Sequence, residues 1–154
     1  MVILMDHAIT AAELFLNGCN CAQAVVVAFC DVTGLEKEFA MRLSSGFGGG
    51  IGRLREVCGA VSGMVMVADL LWGYTDPGES DESKKAHYAL IQELCNTFRQ
   101  EAGSIICRDL LDNPSSDPNP SPRTAEYYAA RPCARYVMLA AKILDDRIAK
   151  QAGV

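Results

Sequence analysis

The chain has 154 residues, 50% of them apolar and 21% charged, which is enough for one domain with a real hydrophobic core and excludes a disordered polymer. Its formal net charge is −5, from 14 basic and 19 acidic side chains, so no nucleic-acid partner is expected: neutralising a phosphate backbone needs clustered Lys and Arg, and the longest basic pairing is Lys84-Lys85. The start, Met1-Val2-Ile3-Leu4-Met5-Asp6, has no basic segment of the secretory kind. The most apolar stretch, 57–72, is shorter than the ~20 residues of a membrane span and contains Asp69. A cytoplasmic protein without a membrane span is therefore expected. In that compartment seven cysteines read as reduced thiols or metal ligands rather than as a disulfide framework.

Helical periodicity governs the pattern from end to end. The first helix is expected over 6–16, with Ala8, Ala11, Ala12 and Phe15 on one stripe and Asn17-Gly18 ending it. The second starts after Asn20 as N-cap and runs to Gly34. Its valines would also suit a strand, but the cap, the alanines and the glycine favour helix. A short third helix covers 36–43. Ser44-Ser45-Gly46-Phe47-Gly48-Gly49-Gly50-Ile51-Gly52 is then irregular or closely approached backbone. The fourth helix is expected over 57–71. The fifth covers 80–101, with Ala86, Leu90, Leu94 and Phe98 recurring every four residues. The sixth covers 105–111.

Alternating prolines make 113–122 a loop, and a loop of that length in a small domain reads as functional, here as a lid. The last helices are expected over 124–130 and 131–150. The fold expected is thus all-α, a single-domain bundle of seven to eight helices over 1–154, with no repeat and no segment of clean strand alternation.

Four cysteines stand where a helix is about to begin. Cys21 follows Asn20, Cys58 follows the glycine-rich run, Cys107 follows Gly103-Ser104, and Cys133 follows Pro132. A helix start offers unpaired N–H groups and the positive end of the macrodipole, both of which favour thiolate, the form that attacks, is oxidised or binds metal. No Cys-x-x-Cys occurs, which removes the thioredoxin and zinc-ribbon readings, and no Cys-x-x-Cys-His, which removes c-type haem attachment. Cys30 and Cys95 read as small buried apolar side chains. Cys19 is an auxiliary candidate, as second ligand or resolving thiol beside Cys21.

The glycine run carries neither dinucleotide nor phosphate-loop spacing, and no strand precedes it. Its glycines, Gly49 and Gly50 among them, are expected to let backbone amides approach the sulfurs. Gly59 and Gly63 are expected to permit close helix packing. Arg53, Arg55 and Arg108 either offset thiolate charge or, the reading preferred here, lie solvated at the surface. His87 reads as a half-exposed side chain.

The runs Gly18-Cys19-Asn20-Cys21-Ala22-Gln23-Ala24-Val25, Gly46-Phe47-Gly48-Gly49-Gly50-Ile51-Gly52-Arg53 and Val57-Cys58-Gly59-Ala60-Val61-Ser62-Gly63 resemble the redox-active family labelled for its C_GCAxxG_C_C pattern. Cys107-Arg108-Asp109-Leu110 and Cys133 extend the resemblance to about 10–145. It implies that Cys21, Cys58, Cys107 and Cys133 are the family's four cysteines, in a small helical protein with a redox or metal role. A similar module in split-Soret-type cytochromes goes with an iron–sulfur centre, and the haem-bearing part has no counterpart here.

Three functions follow as expectations. The first is electron transfer through an iron–sulfur cluster held by Cys21, Cys58, Cys107 and Cys133, with zinc as the alternative metal for four soft sulfurs and a redox protein as partner. The second is a metal-free thiol/disulfide oxidoreductase, with Cys58 attacking and Cys21 or Cys107 resolving. The third is a transporter-associated accessory protein whose cysteines are structural. A homodimer with the redox site at the subunit contact suits so apolar a chain.

Overall fold

Asp6 opens the first helix, its carboxylate accepting from the amides of Ala8 and Ile9 and so filling two of the donors that a helix start leaves unpaired. The structure, a computed structural model, describes residues 6–153; the reading of residues 1–5 lies outside it. Helix α1 is His7–Leu16 and α2 is Cys21–Ala28. Asn20 caps α2 through a full capping box with Gln23. The chain then leaves helical geometry for one residue at Phe29 (φ −100°, ψ 12°) and resumes as α3, Cys30–Thr33. The single helix expected over this stretch is therefore two. Phe29 is fully buried, and its ring stacks on that of His7 at 4.2 Å.

His7 holds this corner. Its Nδ1 lies 2.6 Å from Asp145 Oδ1 and its Nε2 2.9 Å from the Asp31 carboxylate, which ties α1 to α3 and to the last helix.

Helix α4, Lys37–Ser44, leads through a 3-10 turn, Ser45–Phe47, into the glycine-rich loop. Helix α5 is Gly59–Trp72, α6 is Asp81–Ala102, α7 is the single turn Cys107–Leu110, α8 is Ala125–Ala130 and α9 is Cys133–Gln151. The described residues thus form nine α-helices and one 3-10 turn, one α-helix more than the seven to eight expected, because Phe29 divides one of them. Three other starts fall two residues later than expected, that of α9 because Pro132 precedes it. Val57 pairs with Ile106 in an isolated antiparallel bridge, so α5 begins at Gly59 and α7 at Cys107.

Helix α1 lies along α9 and α2 lies along α5, with α6 on the outside against α9 and α5. The core between them is Phe15, Val25, Val26, Phe29, Val61, Met64, Val67, Phe98, Val137 and Leu144, all under 2% exposed. Helix α2 has five of its eight residues buried, which accounts for a valine content that would also suit a strand. Leu90, Leu94 and Phe98 bury as their spacing demands, whereas Ala86 is exposed in the early turns of α6.

Gly59 and Gly63 set how closely α5 meets α2. A Cβ on Gly63 would stand 2.9 Å from Ala22 O and 3.0 Å from Val25 Cβ. A side chain there must push two packed helices apart. Gly63→Val should therefore lower the unfolding free energy by about 1–3 kcal/mol, the usual cost of overpacking, read as a lower urea midpoint with unchanged slope. An unchanged midpoint would show that the two helices can separate freely.

Candidate functional site

Each of the four helix-start cysteines occupies the position its sequence context calls for. Cys21, Cys107 and Cys133 are the first residues of α2, α7 and α9, and Cys58 is the N-cap of α5. Three local features bring them together. Gly59 presses on Cys21: a Cβ at Gly59 would lie 3.1 Å from Cys21 Cβ. A short splice joins Cys58 to Cys107, with Cys58 N donating to Ile105 O (2.8 Å), Cys107 N to Glu56 O (2.6 Å) and Arg108 N to Arg55 O (3.2 Å). Helix α9 packs against α1, α2 and α5 and delivers Cys133 to the same end.

All four line one cavity of about 300 Å³, with Gly48, Gly49, Gly50, Arg53, Arg55, Arg123, Tyr127, Arg131 and Tyr136 among its other walls. Gly50 is required by contact as well as by conformation: its φ is 72°, and a Cβ there would meet Cys107 Cβ at 2.7 Å.

The loop of residues 111–124 covers the cavity as expected of a lid. Pro118, Pro120 and Ser121 line it. Two arginines latch it. Arg53 Nε donates to Asp117 O (2.6 Å) and Nη1 to Ser121 Oγ (3.4 Å), while Arg55 Nε donates to Ser115 O (2.9 Å). Arg55 is only 4% exposed, contrary to the solvated reading of the sequence, because the splice to Cys107 and the lid close over it. Its Nη1 lies 3.7 Å from Cys107 Sγ, and its Nη2 is buried without a partner. Arg108 does pair at the surface, with Glu56 at 3.0 Å.

The four thiols differ in acidity. The Cys133 thiol is pulled below its ordinary value, first by a hydrogen bond from Cys21, then by the charges of Arg131, Arg55 and Arg123, against the effect of burial. Cys21, as the donor to Cys133, is raised well above it. Burial pushes Cys58 up to about 12, against the lowering influence of the nearby Val61 and Ala60 amides. Burial also raises Cys107, partly offset by Arg55. The lowered pKa looked for at Cys58 thus falls at Cys133 instead. The amides that act on Cys58 are those of the first turn of α5, Ala60 and Val61, rather than those of the glycine loop.

The remaining cysteines stand outside the group. Cys19 turns its sulfur to Met41 Sδ at 3.8 Å and does not line the cavity. Cys30 and Cys95 pack partly buried against the core. Among the described residues, no three His, Cys, Asp or Glu side chains are placed to hold one metal ion, and no helix is long and apolar enough to cross a membrane.

The pattern of four separated cysteines around a Cys-Gly-Ala-x-x-Gly turn matches a family described as "Putative redox-active protein (C_GCAxxG_C_C)" over residues 19–147. The chain belongs to this family. No curated protein and no solved structure matches it. In this C_GCAxxG_C_C protein the match takes in all seven cysteines and the lid, so cavity and family coincide.

Sequence reasoning missed Arg123 and Arg131 as cavity walls. One signal was present: Arg131 stands two residues before Cys133, and Arg123 closes the proline loop. Arg123 stacks on Phe15 (5.0 Å) and Tyr127 (4.9 Å), and Arg131 on Tyr127 (4.8 Å). His87 is more buried than expected and pairs with Asp69 at 2.7 Å, away from the cavity.

In the metal-free protein, iodoacetamide should label Cys133 first among the four cavity cysteines, because thiolate is the reactive form. Its labelling rate should rise with pH through a midpoint below the ordinary thiol value of 9.0, while Cys58 should stay unlabelled until the pH approaches about 12. Peptide mass mapping after short pulses at stepped pH reads the order, and labelling of Cys58 ahead of Cys133 would contradict it.

Proposed function

We propose that this C_GCAxxG_C_C protein holds an iron–sulfur cluster through Cys21, Cys58, Cys107 and Cys133 and passes electrons to a redox partner protein. The observation that carries the reading is the meeting of four cysteines, from four helix starts far apart in sequence, around one cavity of about 300 Å³. Four thiolates are the soft donor set that iron–sulfur groups require. A single zinc ion needs sulfurs at ~2.3 Å from the metal and so roughly 3.8 Å from one another. Among the described residues no three His, Cys, Asp or Glu side chains stand at that spacing.

When bound, an iron–sulfur group supplies one-electron transfer. The chain does the rest. Arg55 donates to Cys107 Sγ, the amides of Ala60 and Val61 lie near Cys58, and both draw electron density from sulfur. The lid is latched over the cavity by Arg53 and Arg55.

A second reading has its own observation. Cys21 and Cys133 line the same cavity and shift one another's acidity in opposite directions, as a resolving thiol beside a thiolate would, which favours a Cys21–Cys133 dithiol/disulfide couple without metal.

Anaerobic purification or reconstitution, followed by iron and acid-labile sulfide analysis and visible and electron paramagnetic resonance spectra, separates the two. The expected result is stoichiometric iron and sulfide, lost in Cys58→Ser and Cys107→Ser and kept in Cys30→Ser and Cys95→Ser. Zinc without sulfide, or a colourless metal-free protein that air oxidises to a Cys21–Cys133 disulfide, would refute the cluster.

A further inference from the structure

The cavity is lined by four arginines, Arg53, Arg55, Arg123 and Arg131, and by no Asp or Glu, in a chain whose net charge is −5. Arg55 is the buried one of the four, and a buried charge is costly unless something answers it. The lid accounts for Arg53, whose Nε and Nη1 donate to Asp117 O and Ser121 Oγ. Aromatic rings account for much of Arg123, which also donates to Cys19 O at 3.4 Å.

The other two have donors to spare. Arg55 gives Nε to Ser115 O and Nη1 to Cys107 Sγ, and its Nη2 has no partner although the side chain is 96% buried (4% exposed). Arg131 stacks on Tyr127 and forms no side-chain hydrogen bond or ion pair among the described residues. Both line the cavity together with Cys107 and Cys133.

We propose that the cavity binds a small tetrahedral oxoanion, of the phosphate, sulfate or arsenate type, between Arg55 Nη2 and the Arg131 guanidinium, beside the cysteine sulfurs. Planar guanidinium forks from two directions match an anion with several oxygens. A cavity of about 300 Å³ is at the small end of ligand sites and suits an anion of that size. This site rests on the cysteine cavity as the working centre and adds a substrate compartment to it.

The test uses the full chain, purified without oxygen, in metal-free and in iron- and sulfide-reconstituted form. Inorganic phosphate, sulfate and arsenate are titrated by calorimetry at constant ionic strength held with chloride. One saturable site is expected, with affinity ranking the three anions. Arg131→Gln and Arg55→Lys should each weaken it at least about tenfold, roughly the worth of one charge-assisted hydrogen bond. Arg42→Gln, an exposed arginine paired only with Glu38, should leave it unchanged. Arg55→Lys risks the fold because the side chain is buried. Arg131→Gln breaks no hydrogen bond, and its circular dichroism and melting point should match the parent.

No saturable binding in either form overturns the proposal, and so does binding that Arg131→Gln leaves at full strength. Iron and sulfide are measured on the same samples. Full cluster loading without anion binding overturns this inference alone. Anion binding in protein that takes up no iron sustains it and overturns the cluster.

Discussion

A methyl group added at Gly59 would stand 3.1 Å from Cys21 Cβ and 3.0 Å from the carbonyl of Phe47. That missing methyl group governs how near the start of α5 comes to the start of α2. Helix starts repel one another electrostatically, since each presents the positive end of its dipole. Placing them at one end of a bundle therefore needs packing to enforce it and negative charge to reward it. Gly59 and Gly63 provide the packing, with Ala22 and Val25 of α2 as the opposing surface. The backbone splice through Val57 and Ile106 adds the start of α7, and the long contact of α9 with α1 adds Cys133. The reward lies in the cavity, where sulfur, and whatever else is negative, meets donors already fixed in place.

Whether a helix start makes a thiolate depends on which effect is larger. A macrodipole stabilises a charge at its end by about 0.3–1 kcal/mol, rarely ~2. Full burial can move an ionisable group by roughly 3–5 pKa units, each worth about 1.4 kcal/mol. Burial wins at Cys58, where two nearby amides do not prevent a rise to about 12. It loses only at Cys133, which adds a neighbouring thiol as donor and three nearby guanidiniums to its helix start. The helix starts therefore anticipate that the four cysteines meet at one cavity and overstate their charge. Four starts in four sequence contexts place the residues, while long-range contacts set their protonation.

The same division runs through the rest of the chain. Asn20, Ser80, Thr124, Gly34 and Gly103 are local signals, and each marks a helix end where expected. The break at Phe29 carries no such signal. It depends on His7, 22 positions away (7 to 29 in the chain), and on carboxylates from α3 and α9. Arg55 reads as a surface residue because arginine usually is one. Its burial comes from the turn that carries it and from Cys107 and Ser115 of the lid, neither of which is near in sequence. Cys19 shows the converse: two residues from Cys21 in sequence, it faces Met41 instead, since it precedes the capping box that aims Cys21 inward.

The turn that carries Arg55 shows what this arrangement costs. Gly49, Gly50, Ile51, Gly52 and Arg53 all have φ between 56° and 72°, and Arg55 has φ 63°. Glycine occupies that region freely, but Ile51, Arg53 and Arg55 do not, at about 1–3 kcal/mol for each residue held there. Backbone bonds hold the turn shut, from Gly52 N to Gly46 O, Arg55 N to Gly49 O and Glu56 N to Gly50 O. A right-handed path would relieve the strain and would turn Arg53 and Arg55 away from the lid. Arginine at two left-handed positions thus makes sense only if its direction matters more than its backbone comfort. Arg53 fastens the lid and Arg55 reaches Cys107, so the strain falls on the two residues that join the cover of the cavity to its sulfur.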